Sequence, residues 1–216
     1  MIIARKVYRM TVKLKVYSDF TCPYCYLAES VIQRAQEGRD VELEWVPLEL
    51  HPFPSPTKEW KDMKESWESS VLPHAKELGI TIKHPVAASI PYTHLAHQGY
   101  IYAKEQGRAQ DYVKRVFSAL FTEGQDIGSE HVLTEIAEQS GLDRDSFHAV
   151  LNSEEYELKL NRIRERVKAE NITAAPTMVI GDRMLKGLYP QKAVEKAIRC
   201  GIRDEKMHFC EGDECY

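Results

Sequence analysis

Apolar and polar positions alternate early in the chain. Val12, Leu14 and Val16 alternate with Lys13 and Lys15, the period of two that predicts a strand with one apolar face. From Leu27 the period changes: Leu27, Ala28, Val31, Ile32 and Ala35 recur at helical spacing, and Gly38 is placed to end that helix. Alternation returns at Val41, Leu43 and Trp45, with Glu42 and Glu44 between them, and predicts a second strand. Two strands joined by a helix lie parallel through a right-handed crossover. As neighbours, they would set Lys13 and Lys15 against Glu42 and Glu44 on the polar face; two independently solvated faces are the alternative.

The prolines of His51-Pro-Phe-Pro-Ser-Pro56 then break regular structure and mark an exit from the sheet. From Glu59 to about Lys168 the pattern is helical. Tyr112, Val113, Val116, Phe117, Leu120 and Phe121 form one apolar stripe, and Val132, Leu133, Ile136 and Ala137 another. Turn signals at Gly79, Pro85, Pro91, Gly107, Gly124, Gly128 and Gly141 divide this block into five or six helices, with a helix start at Asp143. The block is expected to hold no strand, its stripes read as core, and its histidines, including His94 and His97, read as surface or capping residues. Strand character returns at Thr177–Ile180, with Pro176 at its first position, a turn at Gly181-Asp182 and a return strand over Met184–Leu188. Ala193, Val194, Ala197 and Ile198 give a last helix, expected to stop at Gly201, and Arg203 to Tyr216 is polar and irregular.

Composition adds limits. With 216 residues, 43% apolar and 29% charged, the chain can bury an ample core. A net charge of −4 argues against nucleic acid or an anionic membrane as the main partner. No run reaches membrane-spanning length, and the first ten residues lack the apolar stretch of a signal peptide. These features predict a cytoplasmic protein. Its five cysteines, Cys22, Cys25, Cys200, Cys210 and Cys215, are an odd count and a poor disulfide framework.

The chemistry concentrates where the first strand meets the first helix, in Ser18-Asp-Phe-Thr-Cys22-Pro-Tyr-Cys25. Pro23 suits the first helical position. The free N–H groups of that turn favour negative charge at Cys22, expected nearest solvent, whereas Cys25 sits one turn in and keeps its proton. That asymmetry suits thiol–disulfide exchange, with Cys22 attacking a substrate disulfide and Cys25 resolving the mixed disulfide. Half of a zinc site and an inert pair stay open beside this reading, although zinc would want a second close pair.

The order strand, helix, strand, distant hairpin and helix is that of a thioredoxin motif with an insertion after its second strand. Phe20-Thr-Cys22-Pro-Tyr-Cys25 together with Ala175-Pro176-Thr177 resembles the DsbA-like thioredoxin-fold family. Tyr17-Ser-Asp-Phe20, Pro47-Leu-Glu-Leu50 and Phe121-Thr-Glu-Gly-Gln-Asp-Ile-Gly128 resemble its FrnE-type branch of cytoplasmic dithiol–disulfide oxidoreductases. The resemblance implies an α/β thioredoxin-like domain over 11–56 and 162–202, interrupted by a helical domain over 57–161. Residues 1–10 are then a disordered extension and 203–216 a flexible cysteine-containing tail. It implies Cys22 as nucleophile, Cys25 as resolving thiol, and Ala175, Pro176 and Thr177 as the substrate-binding segment, with Pro176 cis. The Pro-Tyr dipeptide is glutaredoxin-like and lacks the histidine that DsbA carries. A weaker oxidant than DsbA follows, nearer the glutaredoxins at roughly −200 to −230 mV than DsbA at about −120 mV.

The expected activity is thiol–disulfide exchange or isomerisation with protein or peptide thiols and disulfides. No cofactor or metal is expected, and glutathione or a thioredoxin-type system would recycle the pair; a homodimer is compatible with all of this. Two rivals remain, a glutathione-linked transferase or isomerase of a small molecule and a zinc-binding interaction module. Cys210 and Cys215, four residues apart in an acidic stretch, could shuttle electrons to Cys22 and Cys25, join His208 and Cys200 as metal ligands, or stay free.

Overall fold

Strand β1 (Val12–Ser18) occupies the centre of a four-stranded sheet in the order β2-β1-β3-β4. The computed structural model describes residues 11–85, 87 and 89–209, so the expected N-terminal extension and the Cys210/Cys215 pair lie outside the described residues. Helix α1 (Pro23–Gln36) carries the chain from β1 to β2 (Val41–Pro47), which runs parallel to it. Lys13 stands opposite Glu42 and Lys15 opposite Glu44, and Lys13 pairs with Glu42 at 3.6 Å and Glu44 at 3.1 Å. After the helical block, β3 (Thr177–Ile180) returns antiparallel to β1, and β4 (Arg183–Lys186) pairs with β3 through the Gly181-Asp182 turn. The return strand is thus shorter than the expected 184–188 and begins one residue earlier.

Alternation along β1 decides the layers. Val12, Leu14 and Val16 are buried with Leu27, Val31 and Ile32 of α1 and with Val194 and Ile198 of α9 (Gln191–Phe209). On the other face Tyr17 and Val46 pack with Val167 of α8 (Glu154–Ala169) and with Ile172. The Tyr17 hydroxyl donates to Glu170 at 2.5 Å there.

Gly201 departs from its expected role. Helix α9 does not stop there but continues to Phe209, so Arg203 to Phe209 is helical where irregular chain was expected. A Cβ at Gly201 would lie 2.7 Å from Cγ2 of Val12 and 3.0 Å from Cγ2 of Ile180. The missing side chain lets α9 lie close on the sheet, a packing use of glycine that a local reading takes for a stop signal.

Among the described residues between β2 and β3 the regular elements are helical, apart from an isolated bridge from Glu59 to Ser89. Helical turns over Trp60–Met63, Lys64–Ser66 (α2) and Trp67–Val71 lead into α3 (Leu72–Leu78), followed by α4 (His94–Glu105) and α5 (Ala109–Ser118). A wider turn over Ala119–Glu123 prolongs α5 before α6 (Glu130–Gln139) and α7 (Arg144–Leu151). Gly79, Gly107, Gly124 and Gly141 all take positive φ just beyond helix ends. Asp143 caps α7, its carboxylate accepting the Ser146 N–H at 2.9 Å. The stripe from Tyr112 to Phe121 is buried as core. The single helix α8 runs through residue 161, where the sequence places the end of the insertion. Among the described residues no helix is long and apolar enough to cross a membrane.

Candidate functional site

The end of β1, the start of α1 and the loop before β3 meet at one edge of the sheet. Cys22 is the N-cap of α1 with extended backbone, and Pro23 follows in the first turn, where its missing N–H costs nothing. The Cys25 N–H donates to the Cys22 carbonyl at 3.0 Å, and the Cys22 N–H donates to the Asp19 carbonyl at 3.1 Å. Both thiols are free.

Burial differs from expectation in degree. Cys22 is only 5% exposed and Cys25 fully buried, so the expected order holds but neither sulfur is open. The cause is the β3 side: the Cys22 S–H donates to the Ala175 carbonyl at 3.5 Å across 153 positions of sequence. Burial pushes the Cys25 thiol well above its usual range, and the hydrogen bond and charge of Cys22 push the same way. A hydrogen bond from the Ser18 side chain and a backbone bond at Asp19 pull it back in part.

The Ala175–Pro176 peptide is cis. Ala175 is half-buried and Pro176 buried, and the Pro176 carbonyl accepts the Gly187 N–H at 2.7 Å. Thr177 is fully buried, and its hydroxyl donates to the Ala174 carbonyl at 2.6 Å, so its side chain braces the loop from within. The face open to a partner is therefore that of Ala174 and Ala175. Tyr24, between the cysteines, shares a 2.5 Å hydrogen bond with Ser70, and the Tyr26 hydroxyl donates to the Thr81 carbonyl at 3.1 Å. The helical block thus holds the first turn of α1 by both tyrosines.

Several residues here carried no local signal. Asp19 is buried; one carboxylate oxygen accepts the Thr21 N–H and O–H, both at 3.1 Å, and the other accepts the Leu50 N–H at 2.6 Å. It ties the cysteine loop to the segment leaving β2. Glu49 beside it has a side chain 3% exposed and pairs with Arg164 of α8 at 2.5 Å. A groove of about 450 Å³ runs between Pro47–Leu50 and α8, with Val167, Ile172 and Thr173 on its far wall. His97, expected at the surface, is buried, with its ring 4.9 Å from that of Phe20. A local reading could not see that Phe20 and β2 cover α4. Among the described residues no three His, Cys, Asp or Glu side chains gather as metal ligands, and Cys200 stands apart on α9.

Comparison with known proteins adds to this geometry. Residues 13–199 match the DSBA-like thioredoxin domain. The chain is 39% identical over 193 residues to the uncharacterized protein YwbO of Bacillus subtilis (strain 168), covering 88% of this chain and 96% of that one. It is similar in structure to a probable DsbA oxidoreductase from Streptomyces coelicolor, with TM-score 0.78, 20% identity, and 88% and 89% of the two chains covered. It is also similar to a 2-hydroxychromene-2-carboxylate isomerase, with TM-score 0.69, 20% identity, and 91% and 95% covered. One fold thus serves an oxidoreductase and an isomerase, and the choice falls to this chain's own side chains. With its family match spanning both cysteines and the loop that faces them, the chain belongs to the DSBA-like thioredoxin domain family.

Proposed function

We propose that this protein is a FrnE-type dithiol–disulfide oxidoreductase or isomerase of the cytoplasm, exchanging disulfides with protein or peptide substrates through Cys22 and Cys25. The observation that carries the reading is the pair itself: two free thiols in the first turn of α1, with Cys22 against the Ala175 carbonyl and Cys25 fully buried behind it. In the proposed cycle the Cys22 thiolate attacks a substrate disulfide, forming a Cys22–substrate bond and releasing one substrate thiolate. Cys25 then attacks Cys22, releasing the second substrate thiolate and closing the Cys22–Cys25 disulfide. Burial keeps Cys25 protonated until that step. An extended peptide would lie along Ala174 and Ala175, with the groove beside Leu50 taking neighbouring side chains. Glutathione or a thioredoxin-type reductant would return the pair to the dithiol. Cys210 and Cys215 are retained as a proposed secondary pair on their spacing alone.

The test is turnover of insulin disulfides and oxidative refolding of a reduced protein. Cys22→Ser should abolish both, and Cys25→Ser should accumulate mixed disulfides visible by mass spectrometry. Full turnover in Cys22→Ser would end the reading. Saturable glutathione binding without protein disulfide turnover would replace it with a glutathione-linked enzyme of a small molecule, and stoichiometric bound zinc would replace it with a metal-binding module.

A further inference from the structure

Exposed apolar side chains normally stand singly, so two that lie together beside a reactive pair are informative. Leu50 is 40% exposed and Phe53 is 64% exposed, three residues apart in the loop that leaves β2. That loop is held in place. Pro52, Pro54 and Pro56 restrict its backbone. The Ser55 N–H donates to the Pro52 carbonyl at 2.8 Å, and the Tyr92 hydroxyl donates to the Ser55 carbonyl at 3.1 Å. The Phe53 ring stands edge-on to that of Tyr92, with centroids 5.3 Å apart and planes at 81°, and its centroid is 6.0 Å from that of His94. With the ring seated in this way, little side-chain entropy is left to lose when a partner covers it.

The same loop is joined to the redox turn. The Leu50 N–H donates to the Asp19 carboxylate at 2.6 Å, and the Asp19 backbone carbonyl accepts the Cys22 N–H at 3.1 Å. Leu50 is also a wall of the 450 Å³ groove, to which Pro47, Leu48, Pro52 and Val167 give apolar sides and which reaches Thr173, next to Ala174 and Ala175. Phe53 follows Leu50 by three residues, at most about 11 Å of chain, so a few residues of extended peptide span groove and ring. Charge on the groove is one-sided. Among the described residues lining it, Glu49 is the one carboxylate, and it is buried and paired with Arg164. The Lys168 ammonium, on the same groove, has no ion-pair or hydrogen-bond partner among the described residues.

We propose that this face docks an extended, non-native polypeptide segment, with one apolar side chain in the groove, a second against Phe53 and a carboxylate at Lys168. Leu50, Phe53 and Lys168 thereby select the substrates of the Cys22–Cys25 pair. The inference rests on the thiol–disulfide exchange proposed above and names the class of substrate that it serves. A concave apolar groove takes the side chains of an extended chain, whereas a folded protein keeps such side chains inside. A second copy of this chain seated on Phe53 would compete with substrate for the approach to Cys22.

The test is fluorescence anisotropy of the full-length dithiol protein with short labelled peptides in which serine replaces the reactive cysteine, so that docking is read without exchange. One peptide carries leucine, phenylalanine and aspartate beside that serine. A second replaces the leucine and phenylalanine by glycine and serine, and a third replaces the aspartate by lysine. The first should bind about 30-fold more tightly than the second and about threefold more tightly than the third at low salt. Phe53→Ser should weaken the first peptide about tenfold and the second less than about twofold. Lys168→Glu should reverse the order of the first and third, which a general loosening of the fold would not do, and added salt should erase that order. Equal binding of the first two peptides to the parent overturns the proposal. So does an unchanged order in Lys168→Glu, or an unchanged affinity in Phe53→Ser, with circular dichroism showing each variant folded. A dimer in sedimentation that Phe53→Ser dissociates overturns it as well, since a second copy then covers the patch. The same peptides with cysteine restored, as mixed disulfides with nitrothiobenzoate, separate docking from chemistry: docking without release of nitrothiobenzoate overturns the exchange activity while the docking itself stands.

Discussion

Replacing Asp19 tests whether the cysteine loop is held by its neighbours or by its own turn. Asp19→Ala deletes the acceptor of three hydrogen bonds, two from Thr21 and one from Leu50, which lies 31 positions away. The Thr21 N–H is buried and loses its acceptor without access to water, a cost of about 1–3 kcal/mol. Leu50 is 40% exposed, so its N–H is partly rehydrated and contributes less, while the Thr21 hydroxyl can rotate to another acceptor. The sum is about 2–4 kcal/mol of lost stability. Asp19→Asn keeps one carbonyl oxygen for Thr21 but turns an amide N–H toward the Leu50 N–H, and should cost about 1–2 kcal/mol. Urea unfolding followed by tryptophan fluorescence and by circular dichroism measures both, and coincident transitions license the two-state analysis. Disulfide turnover of the folded variants should fall in the same order, because Leu48–Leu50 borders the proposed peptide groove. If both variants unfold within 0.5 kcal/mol (~RT) of the parent, the carboxylate does not hold this loop and the reasoning is refuted.

Gly201→Ala should destabilise the protein by about 1–3 kcal/mol despite the better helix propensity of alanine, because its Cβ meets Val12 at 2.7 Å; a rise in melting temperature would contradict that packing. Arg164→Ala should cost about 3 kcal/mol, the lower end for breaking a buried pair since Arg164 is a third exposed, and Glu49→Gln with Arg164→Met should cost less in a double-mutant cycle. Burial raises the Glu29 carboxyl, with Lys114, Gln33 and Ser30 only partly opposing it. The folded state therefore holds that proton more tightly, and stability declines as pH climbs from the usual carboxylate range through the raised value. Glu29→Gln should accordingly be the more stable protein at neutral pH, with the difference closing below about pH 4; a difference independent of pH in thermal melts would exclude this origin.

What the sequence disclosed follows how far apart the interacting residues lie. The alternation in β1 and β2, the helical spacing of α1 and the glycines beyond α3, α4 and α6 act within a few residues, and their pattern could be read directly. Cys22 and Cys25 belong to the same class, since the first turn of α1 is a local structure with a known chemistry. The parts that needed three dimensions are contacts between distant segments. Gly201 looks like a helix end until Val12 and Ile180 are brought against it, and His97 looks like a surface histidine until Phe20 closes over α4. Asp19 and Leu50 have no visible relation before β1 and β2 lie side by side and bring Leu50 to the carboxylate. The same distinction separates a redox motif from a redox site. Cys22-Pro-Tyr-Cys25 supplies two sulfurs at suitable spacing, but their environments come from elsewhere: the Ala175 carbonyl beside Cys22, the core that buries Cys25 completely, and the Ser70 hydroxyl that holds Tyr24 between them. A variant that alters any of these and leaves the motif intact should therefore change the rates of the two exchange steps separately, and it is that separation which assigns each neighbour to its cysteine.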